Sequence, residues 1–220
     1  MRRNATLIIA FAALAVPAAQ AAKPPPKPPK GATLTVAVAP NPLVFGHVAT
    51  VAGKLGGPNN SGVNVRLQSM PYPYTGAWIA RATKVTAASG AYAFSVAPDR
   101  STRFRVATVT SPAVTSGYVA LGVAWQVGLK ASTSTPSRGA RVRFSGAVHP
   151  AHPGGTVLLQ KRTATGFKTV SRTTLRAATS SFSSYSLSIR VSSSATYRVR
   201  VPGDGAHLAG TSRSRSLTVR

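Results

Sequence analysis

An internal repeat restricts the fold of this chain more than any other feature of its sequence. The segment LTVAVAPNPLVFGHVATVAGKL, from Leu34, aligns without a gap on VGLKASTSTPSRGARVRFSGAV, from Val127. Later motifs align in the same order: VRLQ on VLLQ, AYAFSV on SYSLSI, and FRV on YRV. The chain therefore contains two copies of one unit, each about 90 residues long.

Each copy has the pattern of short β-strands. Runs rich in Val, Thr, Tyr and Phe alternate with period two and are separated by Gly, Pro, Asn and Ser. About seven such runs in about 90 residues are typical of an antiparallel two-sheet sandwich. We therefore predict an all-β protein with two tandem β-sandwiches, one over residues 32–123 and one over residues 124–220.

The same order of motifs carries a family resemblance. Each copy reads G-x-x-x-x-[VF]-x-G, then V-x-L-Q, then an aromatic residue, then [YF]-x-[FL]-x-[VI], then [FY]-R-V. This order resembles the immunoglobulin-like repeats of secreted and surface proteins from high-GC Gram-positive bacteria. The resemblance covers residues 32–220 and implies immunoglobulin-like sandwiches that serve as a stalk, a spacer or a binding module. Such repeats often stand beside a catalytic domain, and in this respect the sequence departs from the pattern.

Two segments precede the repeats. Residues 1–21 combine Arg2 and Arg3, the apolar run TLIIAFAALAV and the small-residue site Ala19-Gln20-Ala21. This is the pattern of a secretory signal peptide, with an uncleaved N-terminal anchor as the alternative. Residues 22–31, AKPPPKPPKG, favour a semi-rigid polyproline spacer. We expect a secreted, extracellular protein, and association with the cell wall is left open.

The composition argues against catalysis and against a cofactor. No cysteine is present, which excludes disulfides, thiol nucleophiles and Cys-ligated zinc. Asp99 and Asp204, the two acidic residues, fall in different repeats and at opposite strand ends, so they are not expected to share a site. His149 and His152 lack a third metal ligand nearby. We expect no enzyme, cofactor or metal site; a cavity that joins either aspartate to a histidine would favour the catalytic alternative.

The charge balance predicts the partners. There are 27 Lys and Arg against 2 Asp and Glu, a net charge of +25, and such a chain is attracted to anionic surfaces. Seven of these basic residues lie in the first repeat and fifteen in the second. Strand alternation predicts outward side chains, and hence polyanion contacts, at Arg141, Arg143, Arg162, Arg190, Arg198 and Arg200.

These arginines are expected on both outer faces of the second sandwich, while the aromatic residues of the same strands point inward. A nucleic-acid groove instead interleaves basic and aromatic residues on one face. We therefore expect nonspecific attraction to anionic cell-wall polymer, lipid head groups or other polyanions, and no sequence-specific nucleic-acid binding. The predicted role is a secreted, non-enzymatic structural or interaction module, with a larger secreted protein as a further candidate partner.

One loop supports an alternative function. Tyr72, Tyr74 and Trp78 lie in or beside the proline-containing stretch SMPYPYTGAW, and exposed aromatic rings stack on sugar faces. The second repeat has KRTATGF at this place, so the fold does not require the tyrosines. The alternative is a carbohydrate-binding module that uses these three residues. A purely structural interpretation is that the tyrosines cover a sheet edge and Trp78 begins a strand against the core.

Overall fold

The computed structural model describes residues 26–27 and 30–220. The predicted signal peptide and most of the proline-rich spacer lie outside the described residues. The described chain is all-β, with several antiparallel sheets, as the alternation predicts. Within this range, no helix is long and apolar enough to cross a membrane.

The strands of the first repeat form two main sheets. In one, β4 pairs with β1, β2 and β7; the other has the order β6-β5-β8-β9. A short parallel pair joins β3 to β10. The strands are β1 Thr33–Leu34, β2 Ala37–Ala39, β3 Leu43–Val44, β4 Ala49–Gly56, β5 Asn64–Pro71, β6 Ile79–Val85, β7 Ala91–Val96, β8 Thr102–Thr108, β9 Val119–Leu121 and β10 Val123–Ala124.

The second repeat has the same arrangement. One sheet has the order β11-β13-β17-β16, with β12 also on β13; the other has the order β15-β14-β18-β19, with β20 also on β18. The strands are β11 Gln126–Val127, β12 Lys130–Ala131, β13 Ala140–His149, β14 Thr156–Thr163, β15 Gly166–Thr174, β16 Arg176–Ala177, β17 Ser183–Val191, β18 Ala195–Val201, β19 Gly210–Thr211 and β20 Arg215–Leu217.

The strand registers repeat as well as the strand order. Gly53 lies opposite Tyr92 between β4 and β7, and Gly146 lies opposite Tyr185 between β13 and β17. The pairing of β5 with β6 is irregular directly after Leu67, and that of β14 with β15 is irregular at the aligned position, after Leu159. Sequence self-similarity therefore extends to the pairing of individual residues.

Buried side chains form two separate hydrophobic clusters, one in each repeat. The first extends from Leu43 to Leu121, and the second from Trp125 to Leu217. Both sheets of a repeat contribute to its cluster, because inward residues alternate with outward ones along each strand. Tyr197 is 2% exposed, whereas Arg200, three residues further along the same strand, is exposed. The alternation predicted for this strand is confirmed.

A buried tyrosine in each repeat bonds to the residue that directly follows an edge strand, Thr35 after β1 and Gly128 after β11. The Tyr92 hydroxyl donates a hydrogen bond to the carbonyl oxygen of Thr35, and the Tyr185 hydroxyl donates to the carbonyl oxygen of Gly128 at 2.6 Å. Burial disfavours the phenolate form, so it raises the pKa of Tyr92 to about 12 and also raises the pKa of Tyr185. Both phenols therefore remain protonated donors at neutral pH.

The repeated glycine of the V-x-G or F-x-G motif follows from this tyrosine bond. A Cβ at Gly53 would collide with the Thr35 carbonyl oxygen and the Tyr92 hydroxyl. A Cβ at Gly146 would collide with the corresponding carbonyl of Gly128. The neighbouring backbone passes too close for any side chain, so both positions require glycine.

Candidate functional site

Arginines stack on aromatic rings on the outer surface of the β6-β5-β8-β9 sheet. The guanidinium carbon of Arg103 lies 4.3 Å from the centre of the Tyr74 ring and 4.7 Å from that of Tyr118. The guanidinium carbon of Arg105 lies 4.4 Å from the centre of the Trp78 ring. We call these five residues the arginine–aromatic face. Its rings are electron-rich and attract the guanidinium groups.

Neighbouring strands hold the two arginines in place. In the β5–β8 register, Gln68 lies opposite Arg105 and Met70 lies opposite Arg103. The Nε of Arg105 donates a hydrogen bond of 2.7 Å to the Gln68 side-chain oxygen. A guanidinium has five N–H donors, so this bond leaves the terminal nitrogens of Arg105 free for another acceptor.

The second repeat contains the same combination of glutamine, arginine and aromatic ring. The Nε of Arg198 donates to the side-chain oxygen of Gln160 at 2.9 Å, and its guanidinium carbon lies 3.9 Å from the centre of the Phe167 ring. The position equivalent to Arg103 is Thr196, whose hydroxyl hydrogen-bonds to that of Ser216 at 2.9 Å. The glutamine-held arginine is thus common to both repeats, while the Arg103 stack belongs to the first alone.

The three aromatic residues predicted to bind sugar do not form one platform. Tyr72 meets Tyr74 edge-on, with ring centres 5.6 Å apart, and occupies the space beside Gly205 of the second repeat. Tyr74 and Trp78 belong to the arginine–aromatic face. Each of the three side chains is partly buried. Tyr74 and Trp78 therefore lie on the outer surface, whereas Tyr72 lies at the contact between the repeats.

Of the six arginines predicted to face outward, Arg198 has an aromatic neighbour that was not expected, the Phe167 ring, and the stacked Arg103 and Arg105 were not among the predicted contacts. The aromatic residues within the β13, β17 and β18 strands do point inward, as Tyr197 illustrates. The outward rings instead come from adjacent loops and strands, which the alternation of a single strand does not describe. Tyr118 was not predicted from the sequence, and the only signal for Arg103 was its outward parity beside Phe104.

The six arginines predicted to contact polyanions lie in two different sheets, as expected. Arg141 and Arg190 face each other across the β13–β17 pair, and Arg143 lies next to them on the same face. Arg162, Arg198 and Arg200 lie on β14 and β18 of the other sheet. All except the partly buried Arg198 are exposed. Both surfaces of the second repeat are therefore basic.

Almost none of this positive charge is neutralised by the protein itself. Arg100 lies 3.8 Å from the Asp99 carboxylate, whereas the Asp204 carboxylate lies near the His152 and His207 rings and accepts the backbone N–H groups of Ala206 and His207. Among the described Lys and Arg residues, no other lies within 4.0 Å of a carboxylate. Unpaired cations at a surface attract external anions, and salt screens this attraction.

Asp204 and the backbone of Asp99 come together at the junction of the repeats, while the Asp99 carboxylate lies near Arg100. The His207 ring lies between them: its Nε2 donates to the Asp99 carbonyl oxygen at 2.9 Å, and its Nδ1 lies 3.5 Å from the Asp204 carboxylate. The ring also stacks on Trp125, with centres 4.0 Å apart, and His152 stacks on the same indole at 4.7 Å. The loop after β18 folds back onto the first repeat and causes this meeting.

The junction also contains a cavity of about 400 Å³ that Asp99, His149 and His207 line, which is the combination of an aspartate with histidines that would favour the catalytic alternative. The Nε2 of His207 is bonded to the Asp99 carbonyl oxygen, whereas its buried Nδ1, 3.5 Å from the Asp204 carboxylate, has no hydrogen-bond partner among the described residues. The backbone N–H of Ser101 donates to the carbonyl oxygen of Ala206 at 2.8 Å across the same contact. In the described part of the chain, no group of three or more His, Cys, Asp or Glu side chains is arranged to hold a metal ion.

A groove of about 580 Å³ lies beside this junction. Trp125, His47 and His149 line it, together with the basic residues Lys130, Arg213 and Arg215. It contains no carboxylate among its lining residues and is thus a further basic surface.

No protein-family model matches the chain, and no curated protein matches it significantly.

Proposed function

We propose that this chain is a secreted protein of two tandem immunoglobulin-like β-sandwiches. Support comes from the two separate hydrophobic clusters and from the repeated register of Gly53 with Tyr92 and of Gly146 with Tyr185. A sandwich buries inward side chains from two sheets in one core, and both clusters draw on two sheets. Secretion follows from the signal-peptide pattern of residues 1–21.

The proposed role is a non-enzymatic structural or interaction module of the cell envelope or extracellular space that is attracted to anionic polymers. The observation that carries this proposal is the charge: +25 overall, with a carboxylate within 4.0 Å of only one described Lys or Arg, Arg100. Exposed arginines on both sheets of the second repeat could contact a polymer at once, in several orientations. Such binding is electrostatic, so it must weaken with salt.

The test measures binding of the full secreted chain to a polyanion, dextran sulfate, and to neutral dextran over a series of salt concentrations. We expect binding to dextran sulfate alone, falling steeply between about 0.05 M and 0.5 M salt because the Debye length shrinks. Binding that is independent of salt, or equal for both polymers, would contradict the proposal.

A matched pair of variants sharpens this test. In Arg141→Ser with Arg190→Ser, two facing cations are removed from the β13–β17 surface. We expect the affinity for dextran sulfate to fall about fivefold per arginine, since a basic residue near an anionic surface contributes about 1 kcal/mol. Ser186→Ala with Ser188→Ala changes the same surface of β17 without altering charge and should leave the affinity unchanged.

The carbohydrate-binding alternative remains a candidate in an altered form. Tyr72 packs beside Gly205, so the alternative cannot use all three predicted rings as one platform. Tyr74 and Trp78 remain on the outer surface, each beneath an arginine. A sugar that binds there would meet positive charge as well as aromatic surface.

A further inference from the structure

We propose that the arginine–aromatic face of the first repeat binds an anionic polysaccharide through sugar units that carry a carboxylate or a sulfate. This inference rests on the proposed attraction to anionic polymers and assigns it a site and a ligand class. The face consists of Tyr74, Trp78, Arg103, Arg105 and Tyr118, on the surface of the β6-β5-β8-β9 sheet.

The first step of the argument is the state of Arg103. Its guanidinium carbon contacts both the Tyr74 ring and the Tyr118 ring. Stacking uses the flat faces of a guanidinium and leaves the N–H donors at its edge available for a bidentate acceptor. Arg103 makes no salt bridge to any described carboxylate. Two rings therefore fix the Arg103 guanidinium, while the N–H groups at its edge have no anionic partner among the described residues.

The second step is the spacing of the two cations. Arg103 and Arg105 are two residues apart on β8 and on the same side of the sheet, which places their backbones about 7 Å apart. Arg105 is fixed by Gln68 at 2.7 Å and by the Trp78 ring. Two prepositioned guanidinium groups lose less side-chain entropy on binding an anion than two mobile ones.

The third step is the comparison of the two repeats. The glutamine, arginine and aromatic combination occurs in both, so it belongs to the shared fold. Thr196 stands where the first repeat has Arg103, and it bonds to Ser216 instead of stacking on a ring. The fold therefore forms without the Arg103 stack. We therefore assign ligand binding to the stack of Arg103 on Tyr74 and Tyr118, which only the first repeat has.

The fourth step identifies the ligand class. The Tyr118 side chain is 56% exposed, and the C–H faces of sugars pack on such rings. A carboxylate or sulfate fits the edge of a guanidinium in a bidentate manner. A polymer that offers both, a sugar ring with an oxyanion on it, would use the rings and the arginines together. A polyanion without sugar rings would use the charge alone.

The test compares four probes with the full chain: polygalacturonate, dextran sulfate, neutral dextran and polyglutamate. The variants are Tyr118→Ser, which removes an exposed ring without changing charge, and Arg103→Gln. We expect each variant to weaken polygalacturonate and dextran sulfate binding by roughly five- to tenfold, the effect of losing one cation–π or charge-assisted contact. For Tyr118→Ser, polyglutamate binding should stay unchanged.

Two controls separate the possible failures. Tyr118→Phe retains the ring and should retain wild-type affinity, whereas Arg141→Gln removes one exposed charge outside the face and should weaken all polyanions alike. If Tyr118→Ser binds every polysaccharide as the wild type does, or if Arg103→Gln matches Arg141→Gln on all probes, the inference is overturned while the proposed function stands. If the wild type binds no polyanion even at low salt, the proposed function itself fails.

Discussion

Tyr92 and Tyr185 make the same hydrogen bond in the two repeats, whereas Arg103 and Thr196, which occupy equivalent outer positions, make unrelated contacts. The tyrosine bond crosses a glycine that no other residue could replace, so any change there disturbs several neighbours. An outer position has solvent on one side and tolerates substitution at small cost. Agreement between the repeats thus marks what the fold requires, and disagreement marks where the surface is free to acquire a function.

The two repeats also differ in the number of charged residues on their surfaces. The first repeat holds seven Lys and Arg and the second holds fifteen, yet both repeats bury a hydrophobic cluster drawn from equivalent strands. The additional arginines of the second repeat are exposed, like Arg141 and Arg190. Basic side chains on exposed strands also discourage pairing with other chains. The second repeat therefore presents many exposed basic side chains, whereas the first repeat holds Arg103 and Arg105 against aromatic rings.

The largest expected effect tests whether the two cores are equivalent. Tyr197 is 2% exposed and Phe104, at the aligned position, is 3% exposed. Replacement of either by Ala should lower the free energy of unfolding by about 3–5 kcal/mol, the loss of a large buried ring plus the cavity it leaves. Chemical denaturation measures this loss. Val170→Ala, at a side chain 45% exposed, is the control and should change stability by less than about 0.5 kcal/mol.

A difference between the two substitutions would break the comparison. If Phe104→Ala costs less than about 1 kcal/mol while Tyr197→Ala costs the full amount, the first core packs more loosely than its repeat partner. Because the two rings are almost equally buried, we instead expect the two substitutions to lower the free energy of unfolding by nearly equal amounts.

The next effect concerns the repeated glycines. Gly146→Ala and Gly53→Ala each place a Cβ against a backbone carbonyl and a tyrosine hydroxyl. Each should lower the free energy of unfolding by about 2–3 kcal/mol, because the strands must separate to admit the methyl group. Gly117→Ala is the matched control, since nothing lies within 4 Å of a Cβ there. Thermal unfolding of the three variants would decide the matter, and a Gly146→Ala protein as stable as Gly117→Ala would refute the steric explanation.

Much of this fold could be predicted from the sequence because strand alternation is a local property. Along the strand that contains Tyr197, side chains alternate as the period of two requires, with Tyr197 and Val199 buried and Arg200 exposed. The alignment of Gly53 with Gly146 likewise anticipated a shared constraint, although not its cause. That cause lies in residues far away along the chain, since Tyr185 and the carbonyl of Gly128 meet only when the sheet has formed.

The parts that could not be predicted depend on loops. His207 reaches the Asp99 carbonyl across 108 residues of sequence, and no local pattern marks such a contact. Tyr118 meets Arg103 for the same reason: it precedes a short final strand whose register fixes its direction. Of the three rings singled out in the sequence, Tyr72 alone turned towards the other repeat, where Gly205 leaves room for it.

The smallest effect uses pH to compare the two tyrosine bonds. An exposed tyrosine ionises near pH 10 in the unfolded chain, whereas burial raises the pKa of Tyr92 to about 12 and also raises that of Tyr185. Between these values the folded state holds protons that the unfolded state releases. Stability from these phenols is therefore complete below about pH 10 and is lost as the pH rises towards 12.

Urea unfolding of the wild type at about pH 8 and about pH 11 should reveal this loss. At the lower pH, Tyr92→Phe or Tyr185→Phe should cost about 1 kcal/mol, because one buried carbonyl loses its donor. At the higher pH, each variant should lose less stability relative to its own value at the lower pH than the wild type does. Tyr118→Phe, which alters an exposed ring, should follow the wild type. If one of the two substitutions leaves the pH dependence of stability unaltered and the other abolishes it, the two hydrogen bonds are not equivalent. The two repeats would then share the bond in sequence and structure but not in its contribution to stability.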